Sequence, residues 1–382
     1  MKIPRTIVSS VEKHISKRKK DHRIVVIYGP RQSGKTTLVK YLLTKHPDAA
    51  EYFNCDFPDV REQFSYERTP QIANAVKGLK LIILDEAQRI ENIGLVLKIL
   101  ADQHPETQVI ATGSSSFDLS NKISEPLTGR KMVFKIFPLS FEECFGRLSK
   151  IEQQRGIEHF LRFGGYPGLI DDSEKEAEQK LLEISESYLF KDIFTFQDLR
   201  KPELLTKLLR LLAFQIGQEV SFHELAQQLG VDQTVIQRYL FLLEEAFVVF
   251  RLGAFHRNLR TVIRKSQKIY FWDLGIRNAV IQNFNSLTLR NDIGALWENF
   301  CAAERLKYLG NHQRQANAYF WRTYASKEID YIEEVGGRLT AFEFKWNTTK
   351  KIRYPSDFAS AYHGTAFTVI HPENVADFVM KT

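Results

Sequence analysis

At 382 residues the chain is long enough for two or three domains with their own cores, and its 43% hydrophobic and 26% charged content is that of a folded globular protein. Three scattered cysteines (Cys55, Cys144, Cys301) exclude a disulfide framework or a thiolate zinc site. No apolar run approaches the ~18 residues of a membrane span, so the expected setting is the reducing cytoplasm with no membrane attachment.

A net charge of +7 permits a polyanionic partner without requiring one. The charge gathers in KHISKRKK (Lys13 to Lys20) and in the acid-free run HRNLRTVIRKSQK (His256 to Lys268), each of which reads either as a solvated face or as a phosphate contact. Hydrophobic periodicity divides the chain into three territories. Residues 1–147 alternate strand-like and amphipathic helical runs, as an α/β layer with a parallel sheet does. Residues 148–268 are mostly helical in period, and residues 269–382 return to mixed helix and strand.

The first territory carries RIVVIYGPRQSGKTTLVKYLL (Arg23 to Leu43), an apolar strand running through a glycine loop into a helix. The spacing Gly29, Gly34, Lys35, Thr36 is that of a phosphate-binding loop. Its backbone from Gly29 through Pro30, Arg31, Gln32, Ser33, Gly34, Lys35, Thr36 and Thr37 is expected to cradle the phosphates of ATP at a helix N-terminus. Lys35 reaches the β and γ phosphates, and the Thr36 hydroxyl ligates Mg²⁺. LKLIILDEAQ (Leu79 to Gln88) reads as a buried parallel strand that delivers Asp85 to the metal and Glu86 to the attacking water. A third strand, QVIATGSS, brings Thr112 or Ser114 toward the γ phosphate.

These segments, with LTGRKMVFKIFPLSFEE and FGGYP (Phe163 to Pro167), resemble the AAA-type P-loop ATPases, and among them a family with a C-terminal domain of uncharacterised function (DUF4143-like). The resemblance implies an ATP-hydrolysing α/β domain at 1–147. It also implies an arginine acting on the γ phosphate of a neighbouring copy in a homo-oligomer, for which Arg130 in LTGR is the matching position.

In the middle territory, EVSFHELAQQLGVDQTVIQRYLFLLEEAFVVFRL places two short helices around Gly230, in the pattern of a helix-turn-helix with a following wing strand. Gln233, Thr234, Gln237 and Arg238 fall on the exposed side of the second helix, and HRNLR follows where phosphates would lie, so DNA is the expected partner. Such a module also packs as a lid or a protein contact.

Near the C-terminus, EIDYIEEVGGRLTAFEFK turns at Gly336 and Gly337. A two-residue hairpin there sets Asp330 opposite Glu343 and Glu328 opposite Lys345, with Ile329, Tyr331, Phe342 and Phe344 on the other face. Opposed acids repel unless a cation lies between them, and Glu298 on the preceding helical run supplies a third acid. The arrangement resembles the PD-(D/E)xK nuclease fold, with Asp330, Glu343 and Lys345 in the motif positions and Ile329 in place of the usual proline. The resemblance implies a Mg²⁺ site at Glu298, Asp330 and Glu343, with Lys345 facing the scissile phosphate. It leaves open a domain that has lost cleavage. The alternative for the whole chain is a signalling or scaffold ATPase that binds protein partners and lacks nuclease activity.

Overall fold

The computed structural model describes residues 3–16, 24–46, 48–114, 123, 127–194, 202–255, 267–323, 327–347 and 354–380. Two compact units result, one built chiefly from Met1–Pro138 and the other from most of residues 139–382. The expected boundaries at 147/148 and 268/269 both fall inside the second unit.

The first unit is organised around five parallel strands, β1 (Ile24–Tyr28), β2 (Ala50–Asn54), β3 (Leu81–Asp85), β4 (Gln108–Gly113) and β5 (Lys131–Lys135), in the order β2-β3-β4-β1-β5. It is an α/β fold of the P-loop ATPase kind. Strands β1 and β3 are buried at every position, which explains their unbroken apolar runs: helices cover both faces of a parallel sheet and leave no solvent side. The helix Lys35–Thr44 buries Leu38, Val39 and Leu42 against this sheet. Since β4 pairs with both β1 and β3, with Ile27 beside Thr112 and Leu84 beside Ala111, the carboxyl ends of all three strands open on one edge.

The second unit begins with helices, including Lys150–Phe163, Glu174–Phe194 and Pro202–Phe214. The turn after the first of these is the FGGYP segment. Gly164 stands at φ +73, and a Cβ there would lie 2.1 Å from Asp273 Oδ1. The Gly165 amide donates to Asp273 Oδ2 at 2.8 Å, while Leu139 N donates to Gly165 O at 2.7 Å. The two glycines thus admit a buried carboxylate that also caps the helix Leu274–Val280 through the Ile276 amide. FGGYP is accounted for by this packing.

Two helices, Phe222–Leu229 and Gln233–Glu245, follow. Ser221 caps the first by accepting from Glu224 N, and Gly230 in the left-handed region ends it. Gln233, Thr234, Gln237 and Arg238 are exposed. The strands that come next, β6 (Val249–Ala254) and β7 (Gln267–Phe271), pair antiparallel and form one side of a six-stranded sheet with β8 (Asn317–Arg322), β9 (Glu328–Val335), β10 (Arg338–Phe344) and β11 (Ala366–Ile370). The order is β11-β10-β9-β8-β6-β7. The basic run between β6 and β7, with Arg257, Arg260 and Arg264, lies outside the described residues, as does the second half of Lys13 to Lys20.

The β9–β10 hairpin holds the register set by its glycine turn from Val335↔Arg338 to Tyr331↔Phe342. Beyond that point two corrections to the sequence reading apply. Between β8 and β9 the register shifts, Tyr319 facing Ile332 but Trp321 facing Ile329, so β9 carries an extra residue at Asp330–Tyr331. That residue turns Ile329 to the opposite side from Tyr331, into the cluster with Ile332, Ala341, Trp321 and Phe358. Glu328 consequently does not pair with Lys345, because the shift carries it toward β7. Among the described residues no helix is long and apolar enough to cross a membrane.

Candidate nucleotide site and C-terminal carboxylate centre

The glycine loop turns tightly between β1 and the helix Lys35–Thr44. A Cβ on Gly29 would lie 2.2 Å from Ile136 O, and Gln32 and Gly34 take positive φ to turn the chain. Ser33 closes the turn by donating its hydroxyl to Pro30 O at 2.7 Å. Lys35, 4% exposed, curls back over the loop and donates to Gly29 O and Pro30 O, both at 2.9 Å. Backbone carbonyls here engage an ammonium suited to phosphate oxygens.

Asp85 is 2% exposed and gathers three hydroxyls. Thr36 Oγ1 and Tyr52 OH each donate to its Oδ2 at 2.7 Å, and Thr112 Oγ1 donates to its Oδ1. Burial first, and then the hydrogen bond to Asp85, push the Tyr52 phenol far above its ordinary range, so it remains a donor. Glu86 follows in the left-handed region at φ +54, its amide donating to Thr112 Oγ1 at 3.0 Å. Gln88 Nε2 bridges the Glu86 carboxylate at 2.5 Å and Ser114 Oγ at 3.2 Å. Lys35, Thr36, Asp85, Glu86 and Thr112 therefore stand at one strand edge. Arg130 is half-exposed and pairs with Asp102 at 2.8 Å. Tyr52 and Gln88 were not singled out from sequence. The chain order carries no signal for Tyr52, whose role comes from β2 lying beside β3.

In the second unit a different set of acids converges. Glu298 comes from the helix Ile293–Asn311, Glu328 and Asp330 from β9, and one carboxylate oxygen of each lies within 4.8 Å of the others. Glu343, expected in that group, instead pairs with Lys345 Nζ at 2.7 Å, which also approaches Asp330 Oδ2 at 3.7 Å. Asp330 Oδ2 accepts from the Phe344 amide at 2.7 Å, just past the last pair of the β9–β10 register. Lys268 ends the acid-free basic run, which the sequence leaves open between a solvated face and a phosphate contact. In the structure it is 1% exposed and its ammonium pairs with Glu298 Oε1 at 2.7 Å and with Glu328. Tyr270, two residues on along β7, donates to Glu298 Oε1 at 2.6 Å.

Four carboxylates thus face two ammonium groups, and Glu328 also lies 3.7 Å from the Arg322 guanidinium, in a half-closed space. Burial above all pushes Glu298 up to about 7, against the pull of Lys268. Burial and then the Asp330 charge push Glu343 to about 7 as well. Burial likewise raises Asp330. For Lys268, burial works to lower its pKa, but Glu298, Glu328 and Asp330 outweigh it and hold the ammonium charged. The donor set is all oxygen and carries excess negative charge, which fits Mg²⁺ or Mn²⁺ in preference to zinc.

Comparison with known proteins gives three family matches: an AAA domain at residues 21–145, a domain of unknown function (DUF8612) at 154–287, and another (DUF4143) at 293–378. Uncharacterized proteins of Mycobacterium tuberculosis and Mycobacterium bovis are each 30% identical over 333 residues, covering 86% of this chain and 71% of theirs. One of Methanocaldococcus jannaschii is 27% identical over 319 residues, covering 75% of this chain and 71% of its own. Among solved structures, a Walker-type ATPase of Pyrococcus abyssi aligns over 72% of this chain and 94% of its own, at 14% identity and a TM-score of 0.49.

The raised carboxyls have a consequence for stability. A folded pKa of about 7, against an ordinary 4.5, means that the folded chain holds a proton the unfolded chain has released. This contribution is present near the acid end of that window and is lost as pH rises through about 7. In chelator, the wild-type melting temperature is expected to fall from pH 5 to pH 8 more steeply than that of Glu343→Gln. Parallel profiles would show that Glu343 does not titrate in this range.

Proposed function

The chain belongs to the same family as its mycobacterial relatives, with an AAA domain at residues 21–145, and on that premise we propose that it binds and hydrolyses ATP with Mg²⁺ and uses the cycle on DNA. The observation that carries the reading is the convergence of Lys35, Thr36 and Asp85 at one strand edge, beside a loop in which Gly29 has no room for a side chain against Ile136 O. In this reading the amides of Gly29 to Thr37 receive phosphate oxygens. Lys35 exchanges the carbonyls of Gly29 and Pro30 for the β and γ phosphates. Thr36 and Asp85 would hold Mg²⁺, which would supply positive charge at the phosphates. Glu86 leaves Gln88 and takes a proton from the attacking water, while Thr112 keeps Asp85 oriented. Arg130 releases Asp102 to serve a neighbouring copy in a homo-oligomer.

For DNA, support comes from the exposure of Gln233, Thr234, Gln237 and Arg238 on the helix Gln233–Glu245 and from the basic run that follows β6. For the C-terminal domain, we read Asp330 and Glu343 as carboxylates that meet a divalent cation, with Lys345 toward a phosphodiester. Such a cation would supply charge at the phosphate and an acidified water.

Two experiments test this. Lys35→Ala is expected to weaken ATP binding by at least tenfold in a fluorescent-nucleotide titration, whereas Glu86→Gln binds normally and loses hydrolysis. Equal ATP affinity in wild type and Lys35→Ala would remove the reading.

Replacing Arg257, Arg260 and Arg264 by alanine should weaken DNA binding alike across sequences. Each lost phosphate contact makes the slope of log affinity against log salt shallower by roughly 0.9. Absence of DNA binding by the wild-type chain at low salt favours the scaffold ATPase instead.

A further inference from the structure

The two ammonium groups of the carboxylate centre divide the four acids between them. Lys345 is 40% exposed and engages Glu343 and Asp330, whereas Lys268 is 1% exposed and engages Glu298 and Glu328. Lys268 is held there on several sides. Its strand carries Tyr270 on the same face to a shared acceptor, Glu298 Oε1. Its backbone bridges Glu219, and the ring of Phe320 lies 5.4 Å from its ammonium. An ammonium so placed is a compact point charge with three donors, fixed between two carboxylates from different elements. Two of the three acids brought within 4.8 Å of one another already have a cation between them.

We propose that Lys268 is a resident cation of the C-terminal centre, taking between Glu298 and Glu328 the position a divalent ion would otherwise occupy, so that any metal there is left to Asp330 and Glu343. Its second half rests on the reading that these acids meet a metal; its first half does not. A centre of this kind offers a single divalent ion and a fixed ammonium in place of a two-metal clamp on attacking and leaving oxygens. Glu298, expected as a metal ligand, becomes the anchor of the ammonium.

The test uses the full chain in an Asp85→Asn background, which removes the P-loop carboxylate, and counts Mn²⁺ ions per chain by calorimetry with Lys268 and with Lys268→Met. The expected result is one ion more in Lys268→Met than in its parent, and a melting temperature that rises with Mn²⁺ more in the variant. One ion in the parent and two in the variant support both the lysine's role and the metal reading. None in the parent and one in the variant support the lysine's role and end the metal reading. Equal counts overturn the inference, whatever their value. Should Lys268→Met fail to fold in chelator, Mn²⁺ is expected to restore its folding, and Lys268→Met/Glu328→Gln, which removes one charge of each sign, is expected to fold without metal. A folded double variant beside a Lys268→Met that Mn²⁺ cannot rescue also overturns the inference.

Discussion

Asp85 ends a strand buried at every position, where water cannot solvate it, so each of its lone pairs has to be met from within the chain. Three hydroxyls meet that demand, from the helix after the glycine loop, from β2 and from β4. Four pieces of chain are thereby fixed around one carboxylate. The geometry of the loop follows, because Thr36 is tied to Asp85 and the adjacent Lys35 falls back on the carbonyls of Gly29 and Pro30. Hydrogen bonds to a charged group are worth about 1.5–3 kcal/mol each. Together such bonds hold the site in order, and ligands enter it by exchange for partners the chain already supplies.

The same constraint acts in the second unit with a different solution. Glu298 accepts from Lys268 and Tyr270, and Asp330 from the Phe344 amide. Burial above all pushes Glu298 and Glu343 up to about 7, with the neighbouring Asp330 charge adding to it. Where the P-loop stores donors, this centre stores negative charge. A lone buried ion pair is weak support for stability, because desolvation offsets its attraction.

Much of this was readable in the chain. Gly29, Gly34, Lys35 and Thr36 sit at fixed spacing between an apolar strand and a helix, and a local motif survives folding unchanged. Strand β3 announced itself by an apolar run ending in Asp85 and Glu86. The glycine turn at Gly336 and Gly337 set the hairpin register as far as Tyr331↔Phe342. What was illegible depends on neighbours distant in sequence. The extra residue in β9 arises from pairing with β8, and it sends Ile329 and Glu328 elsewhere than strict alternation puts them. Lys268 looked like the tail of a basic run, since only the fold places β7 beside Glu298 and Glu328. Tyr52 was hidden for the same reason.

Exchange of internal partners for ligand is the central claim, and a crystal structure with a non-hydrolysable ATP analogue and Mg²⁺ tests it most directly. The account predicts phosphates in the Gly29–Thr37 loop, Lys35 Nζ moved from the Gly29 and Pro30 carbonyls to the β and γ phosphates, and Mg²⁺ held by Thr36 and Asp85. Nucleotide bound elsewhere, or bound in the loop with Lys35 still on both carbonyls and Thr36 away from the metal, would contradict it.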